Sequence, residues 1–153
     1  MRLFTRCLLL LSFVGAPAHS FETVLPDFAG DQAAFGFMRT RIIAAMQQGP
    51  NFDGHYTVIT VGCGTQCAIG FVADNKTGKI YDFPYGGEEH SQMHLEYGLD
   101  TDSILVAFKT HEAGQSQCVA KELRFNDGEF TEERFEISTK NSFICPLASE
   151  LFE

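Results

Sequence analysis

Four cysteines, Cys63, Cys67, Cys118 and Cys145, constrain what this chain can fold into more than any other feature. A fifth, Cys7, lies in an N-terminal segment built like an export leader. Arg2 and Arg6 come first, then the short apolar run 7–14, then the small-residue cut sites Ala18 and Ser20. Residues 1–20 are therefore expected to be a cleaved signal peptide, leaving 21–153 as a single domain that is periplasmic or secreted. The apolar run is far shorter than the ~20 residues a membrane span needs, and no later stretch is long enough either. An even cysteine count in an exported chain predicts two disulfides, with three possible connectivities. Cys63–Cys67 and Cys118–Cys145 is the expected pairing. The first pair flanks Gly64-Thr65-Gln66, a hairpin turn whose opposed residues come within bonding range. The second ties the C-terminal tail to a strand. A redox pair prefers the C-x2-C spacing at a helix start, and a four-cysteine zinc site needs reduced thiols, so both rank behind.

The net charge is -9, and it becomes -11 when residues 1–20 leave, because Arg2 and Arg6 go and no acid does. Nucleic acid and anionic lipid both ask for a basic footprint and are argued against. A cationic protein partner is compatible with this charge, although a merely solvated acidic surface is the plainer explanation. Fifteen Phe and no Trp predict a Phe-rich core.

Along the chain the period changes once. Phe35, Met38, Ile42 and Ala45 or Met46 recur at helical spacing, so residues 31–48 are expected to form a helix with Asp31 as N-cap and Gly49-Pro50 as its stop. From His55 onward the pattern is extended. Strands are expected over 55–61, 67–73, 79–83, 95–97, 103–109, 117–125 and 129–137. The segments Asp74–Gly78 and Asn126-Asp127-Gly128 make turns. The continuous apolar run 103–109 predicts a strand buried on both faces. The fold class is α+β: an N-terminal helix packed on an antiparallel β-meander of about six to seven strands, locked by two disulfides.

Chemistry has few places to sit. The polar segment 84–94 contains Glu88, Glu89, His90, Met93 and His94 and reads as a long loop after the third strand. On a helical turn, His90 and His94 would share a face and hold Zn or Cu, with Glu89 or Met93 beside them. A solvated loop is the blander alternative. His55, His94 or His111 could act as a base, but Cys63 is expected to be oxidised and no G-x-S-x-G elbow is present. His55, at a strand start, reads first as a structural histidine. Paired carboxylates cannot be singled out among so many acids. Gly62-Cys63-Gly64-Thr65 is read as a tight turn rather than an anion nest.

The patterns Gly54-His55-Tyr56, Gly62-Cys63-Gly64-Thr65-Gln66-Cys67 and Asp74-Asn75-Lys76-Thr77-Gly78-Lys79 resemble those of a family of small secreted bacterial proteins. The resemblance covers about residues 50–135. It implies export in a bacterium and the β-rich fold, and it supplies no activity. The expected function is an exported acidic binding module without a catalytic centre or cofactor, possessing the character of an inhibitor or immunity protein for a cationic partner. Its binding residues are expected among Glu88, Glu89, His90, Met93, His94 and His55. The alternatives are a periplasmic Zn- or Cu-binding protein using His90 and His94, and a small hydrolase.

Overall fold

Only the second half of the predicted helical segment is α-helical. The computed structural model describes residues 21–112, 115–138 and 143–153, so the leader lies outside the described residues. Ala33–Met38 form a 3-10 helix, and α1 follows over Arg39–Met46. Gly36 weakens the first half by about 1 kcal/mol relative to Ala, and no side chain caps either start. Asp31 does not cap the helix. An earlier acid, Asp27, turns the chain instead, its Oδ1 accepting from the Ala29 and Gly30 N–H groups, each at 3.0 Å. Gly49 ends the helix at a φ of 93°, a conformation that suits glycine. Ile42 and Met46 are fully buried in a cluster with Ile59, Phe71, Ala73 and Ile80.

The remainder is antiparallel β-structure, in two sheets and not one meander. The first contains β1 (Tyr56–Gly64), β2 (Cys67–Asp74) and β3 (Ile80–Gly86), in that spatial order. The second contains β4 (Ser91–Glu96), β5 (Ser103–Glu112), β6 (Gln115–Asn126) and β7 (Glu129–Ile137), again in order. The break falls at Gly86-Gly87, both at positive φ, where the chain swings from one sheet to the other without forming a ladder. A β-carbon on Gly86 would lie 2.7 Å from the Ala68 carbonyl oxygen, so this crossing requires glycine.

The main core joins the two sheets. Val58, Val72 and Phe83 from the first meet Ile104, Val106, Phe108, Val119, Leu123 and Phe125 from the second. β5 is buried on both faces as its apolar run predicts. Its even positions enter this core, while Ala107 packs with Ala120 and with Ala148 of α2, a short C-terminal helix over Ala148–Leu151. Both expected disulfides are formed, Cys63–Cys67 and Cys118–Cys145. The β6–β7 hairpin turns at Asp127 and Gly128, both at positive φ, as Asn-Asp-Gly demands.

The two sheets are held differently at their two sides. On one, main-chain bonds cross between them: Gln92 N–H to the Gln66 oxygen at 2.8 Å, and Gly54 N–H to the Leu99 oxygen at 2.8 Å. On the other, β3 meets β7 and the end of β6 through side chains. Phe83 lies edge-on to Phe130 at 5.3 Å, and Tyr81 edge-on to Phe125 at 5.6 Å.

Candidate functional site: an acidic seam beside the β3–β4 turn

The segment 84–94 is not a long loop. β3 runs through Gly86 and β4 begins at Ser91, leaving a tight turn between them. The hydrogen-bonding register of β4 against β5, Ser91 opposite Lys109 and His94 opposite Ala107, claims residues that polarity alone assigned to a loop. The expected helical pairing of His90 with His94 therefore fails. His90 sits on the turn, where its Nδ1 lies 3.0 Å from the Gly86 oxygen and 3.3 Å from the Gly86 nitrogen. Its ring stands edge-on to Tyr85 at 5.2 Å and to Phe108 at 4.6 Å. Met93 is buried in the main core and His94 is exposed, because successive strand residues face opposite ways. Among the described residues no three His, Cys, Asp or Glu side chains converge as a metal would need.

His55 lies away from this turn. Its Nε2 is 3.9 Å from Asp74 Oδ1, and its ring packs on Tyr56 at 4.0 Å. Asp74 is itself occupied. It accepts from the Lys76 N–H and from the Thr77 hydroxyl, each at 2.7 Å, and so holds the Asp74–Gly78 turn. His111 faces the Ser116 hydroxyl at 2.8 Å on the exposed β5–β6 hairpin.

The turn does meet residues that sequence reasoning missed. Tyr85 stacks on Phe108 at 5.0 Å, and its hydroxyl reaches to 3.5 Å from Glu132 Oε2 on β7. Lys121 on β6 donates to the same Glu132 oxygen at 2.5 Å, and its ammonium lies over the rings of Tyr85 and Phe135 at 5.0 and 5.1 Å. Burial works against the Lys121 charge. The hydrogen bonds to Glu132 and Tyr85 outweigh it, so the amine is held above its usual range. A signal for this was present: Lys121 falls on the same alternate positions of β6 as Val119, Leu123 and Phe125, the side that enters the core.

The cations on the opposite face of the second sheet, the side that meets α2, are also engaged. Arg124 forks onto Glu133 at 2.6 and 2.9 Å and reaches Asp102 at 2.6 Å. That contact holds the Glu133 carboxyl below the usual carboxylate range. Arg134 lies 3.6 Å from Glu122. Among the described residues Glu88 and Glu89 on the turn have no cation partner and are exposed, as are Asp82 on β3, Asp127 on the β6–β7 turn, and Glu129 and Glu136 on the outer face of β7. Taken together, the turn and the two faces of the β7 edge carry a surplus of negative charge that Lys121, Arg124 and Arg134 do not neutralise. No family model matches the chain, and neither a curated protein nor a solved structure matches it.

Proposed function

We propose that this chain is an exported acidic binding module, of the inhibitor or immunity type, that engages a cationic protein through the acidic margin made by the β3–β4 turn and the β7 edge. The reading rests on one observation: Lys121, Arg124 and Arg134 are each already paired, while Glu88, Glu89, Glu129 and Glu136 are exposed and unpaired among the described residues. The two disulfides support a home in an oxidising compartment. Exposed ion pairs contribute about 0.2–1 kcal/mol each, so four carboxylates supply steering and selectivity more than affinity.

The test is affinity capture from an extracellular or periplasmic extract at about 0.05 M and about 0.5 M salt, where screening lengths differ roughly threefold. A basic partner should be captured at low salt and lost at high salt. It should also be lost by the fourfold variant Glu88→Gln, Glu89→Gln, Glu129→Gln, Glu136→Gln. Equal capture by the variant removes the seam as the contact surface.

A further inference from the structure

Along its outer edge β1 has main-chain groups that find no partner among the described residues. Val58 shows which groups these are. Its N–H donates to Asn51 Oδ1 at 2.8 Å and its carbonyl accepts from Asn51 Nδ2 at 3.1 Å, so both point away from β2. In an antiparallel ladder the outward-facing residues alternate. Tyr56, Val58, Thr60 and Gly62 therefore form the outer row, opposite Asp74, Val72, Gly70 and Ala68. Tyr56 is satisfied by the main chain of Asn51 and Phe52, and Val58 by the Asn51 carboxamide. Thr60 and Gly62 have no outward partner among the described residues. Their free N–H and C=O groups are about 6.7 Å apart, the repeat of one strand rung.

These two rungs open onto a cavity of about 660 Å³ between β1 and α1. Its lining is polar and almost uncharged. Gln48, Asn51 and Thr60 contribute to it, no acid does, and its single charged side chain is Arg41. Arg41 is exposed and has no carboxylate partner among the described residues. A strongly acidic protein thus places an arginine, without an acid beside it in the lining, in a groove next to the free strand edge. The other edges are managed: β7 is lined with glutamates, β3 is covered by the rings it shares with β7, and β4 is bonded to Gln66 and, through Glu96, to Ser149. β1 over 60–62 has no charge and no proline, and no cover among the described residues, and the missing side chain at Gly62 allows close approach of another backbone.

We infer that the β1 edge is a peptide-binding site, which takes an extended segment of another protein as an added strand and places an acidic side chain of that segment against Arg41. The two rungs at Thr60 and Gly62 supply the main-chain bonds, and Arg41 supplies the selectivity. Asn51 occupies the rung at Val58 and sets one end of the site. The groove is distinct from the acidic seam and asks for the opposite charge. At physiological salt the screening length is about 8 Å, so a segment in the groove responds first to the charge that lines it, and Arg41 is the one charged lining residue.

The probe is an acetylated, amidated pentapeptide of alternating threonine and valine with one central glutamate, titrated into the 15N-labelled protein. Two controls accompany it: the same peptide with lysine for glutamate, and the glutamate peptide N-methylated at its central amides. The glutamate peptide should shift the Thr60, Val61 and Gly62 amides and slow hydrogen exchange at Thr60 and Gly62. Arg41→Gln, a surface change on α1, should weaken it about fivefold, the upper end for one exposed ion pair. N-methylation should abolish the effect, because it removes the donors a ladder needs. The inference is overturned if the glutamate peptide leaves Thr60 and Gly62 unperturbed, if the lysine peptide perturbs them equally, or if N-methylation makes no difference.

Discussion

Asn75 is fully buried, and its carboxamide makes three hydrogen bonds. Its oxygen accepts from the Thr57 hydroxyl at 2.6 Å, and its amide donates to the Met46 carbonyl at 3.1 Å and to Thr23 Oγ1 at 3.3 Å. One side chain thereby joins the entry segment, the end of α1 and β1, and satisfies a helix-terminal carbonyl that would otherwise be orphaned. Asn75→Ala leaves the Thr57 hydroxyl and the Met46 carbonyl without this partner and should cost about 2–3 kcal/mol in urea unfolding. A loss below about 0.5 kcal/mol would mean that water replaces the amide. Tyr56 makes the second prediction at this scale. Burial, then the nearby Asp74 carboxylate, push its hydroxyl up to about 12 from an ordinary value of 10. The folded state keeps this proton at a pH where the unfolded state has lost it. Stability from this group is therefore complete below pH about 10 and declines as pH rises toward 12. Burial acts in the same direction on Tyr81 and Tyr97. With no tryptophan in the chain, tyrosinate absorbance reads this directly; all tyrosines ionising together near 10 would refute it. At this scale the sequence was partly legible. Asp74-Asn75 announces a turn, but the burial of Asn75 depends on α1 and the entry segment arriving from elsewhere.

At the scale of elements, the two disulfides close loops of very different length, at sequence separations of 4 and 27. Loop-closure entropy assigns about 2 kcal/mol to the short one and about 3.5 kcal/mol to the long one. Cys118→Ser with Cys145→Ser should therefore lower stability more than Cys63→Ser with Cys67→Ser. It should also raise amide exchange across α2, whose Ala148 packs on Ala107 and Ala120. Equal losses for the two double variants would contradict this. Strand positions from β5 onward and the β6–β7 turn were readable because alternation, the apolar run and Asn-Asp-Gly are local signals. The division into two sheets was not, since Gly86-Gly87 specifies a sharp turn but not whether the strands on either side will pair. The 84–94 segment was misread for a related reason. His94, Gln92 and Glu96 are polar on one face of β4, while Met93 enters the core, and alternation over so short a strand is easily taken for a polar loop.

For the whole molecule, a net charge of -9 implies self-repulsion that acts against the compact state. Added salt screens that repulsion, and it also weakens the surface pairs of Lys121, Arg124 and Arg134, each worth little when exposed. The melting temperature should accordingly rise by a few degrees between roughly 0.01 M and 0.15 M salt. A fall would show that the ion pairs outweigh the overall repulsion. Charge was the most legible whole-molecule property, and its placement the least, since pairing across strands decides which acids stay uncompensated. The unequal fastening of the two sheets has a mechanical consequence. The side crossed by the Gln66–Gln92 and Gly54–Leu99 bonds behaves as the spine of a book, while the Tyr81, Phe83 and Tyr85 side is its unbound page edge. Partial opening would begin there and wet Phe83, Phe125 and Phe130 first, so any slow breathing of this protein should start at the margin that holds the seam.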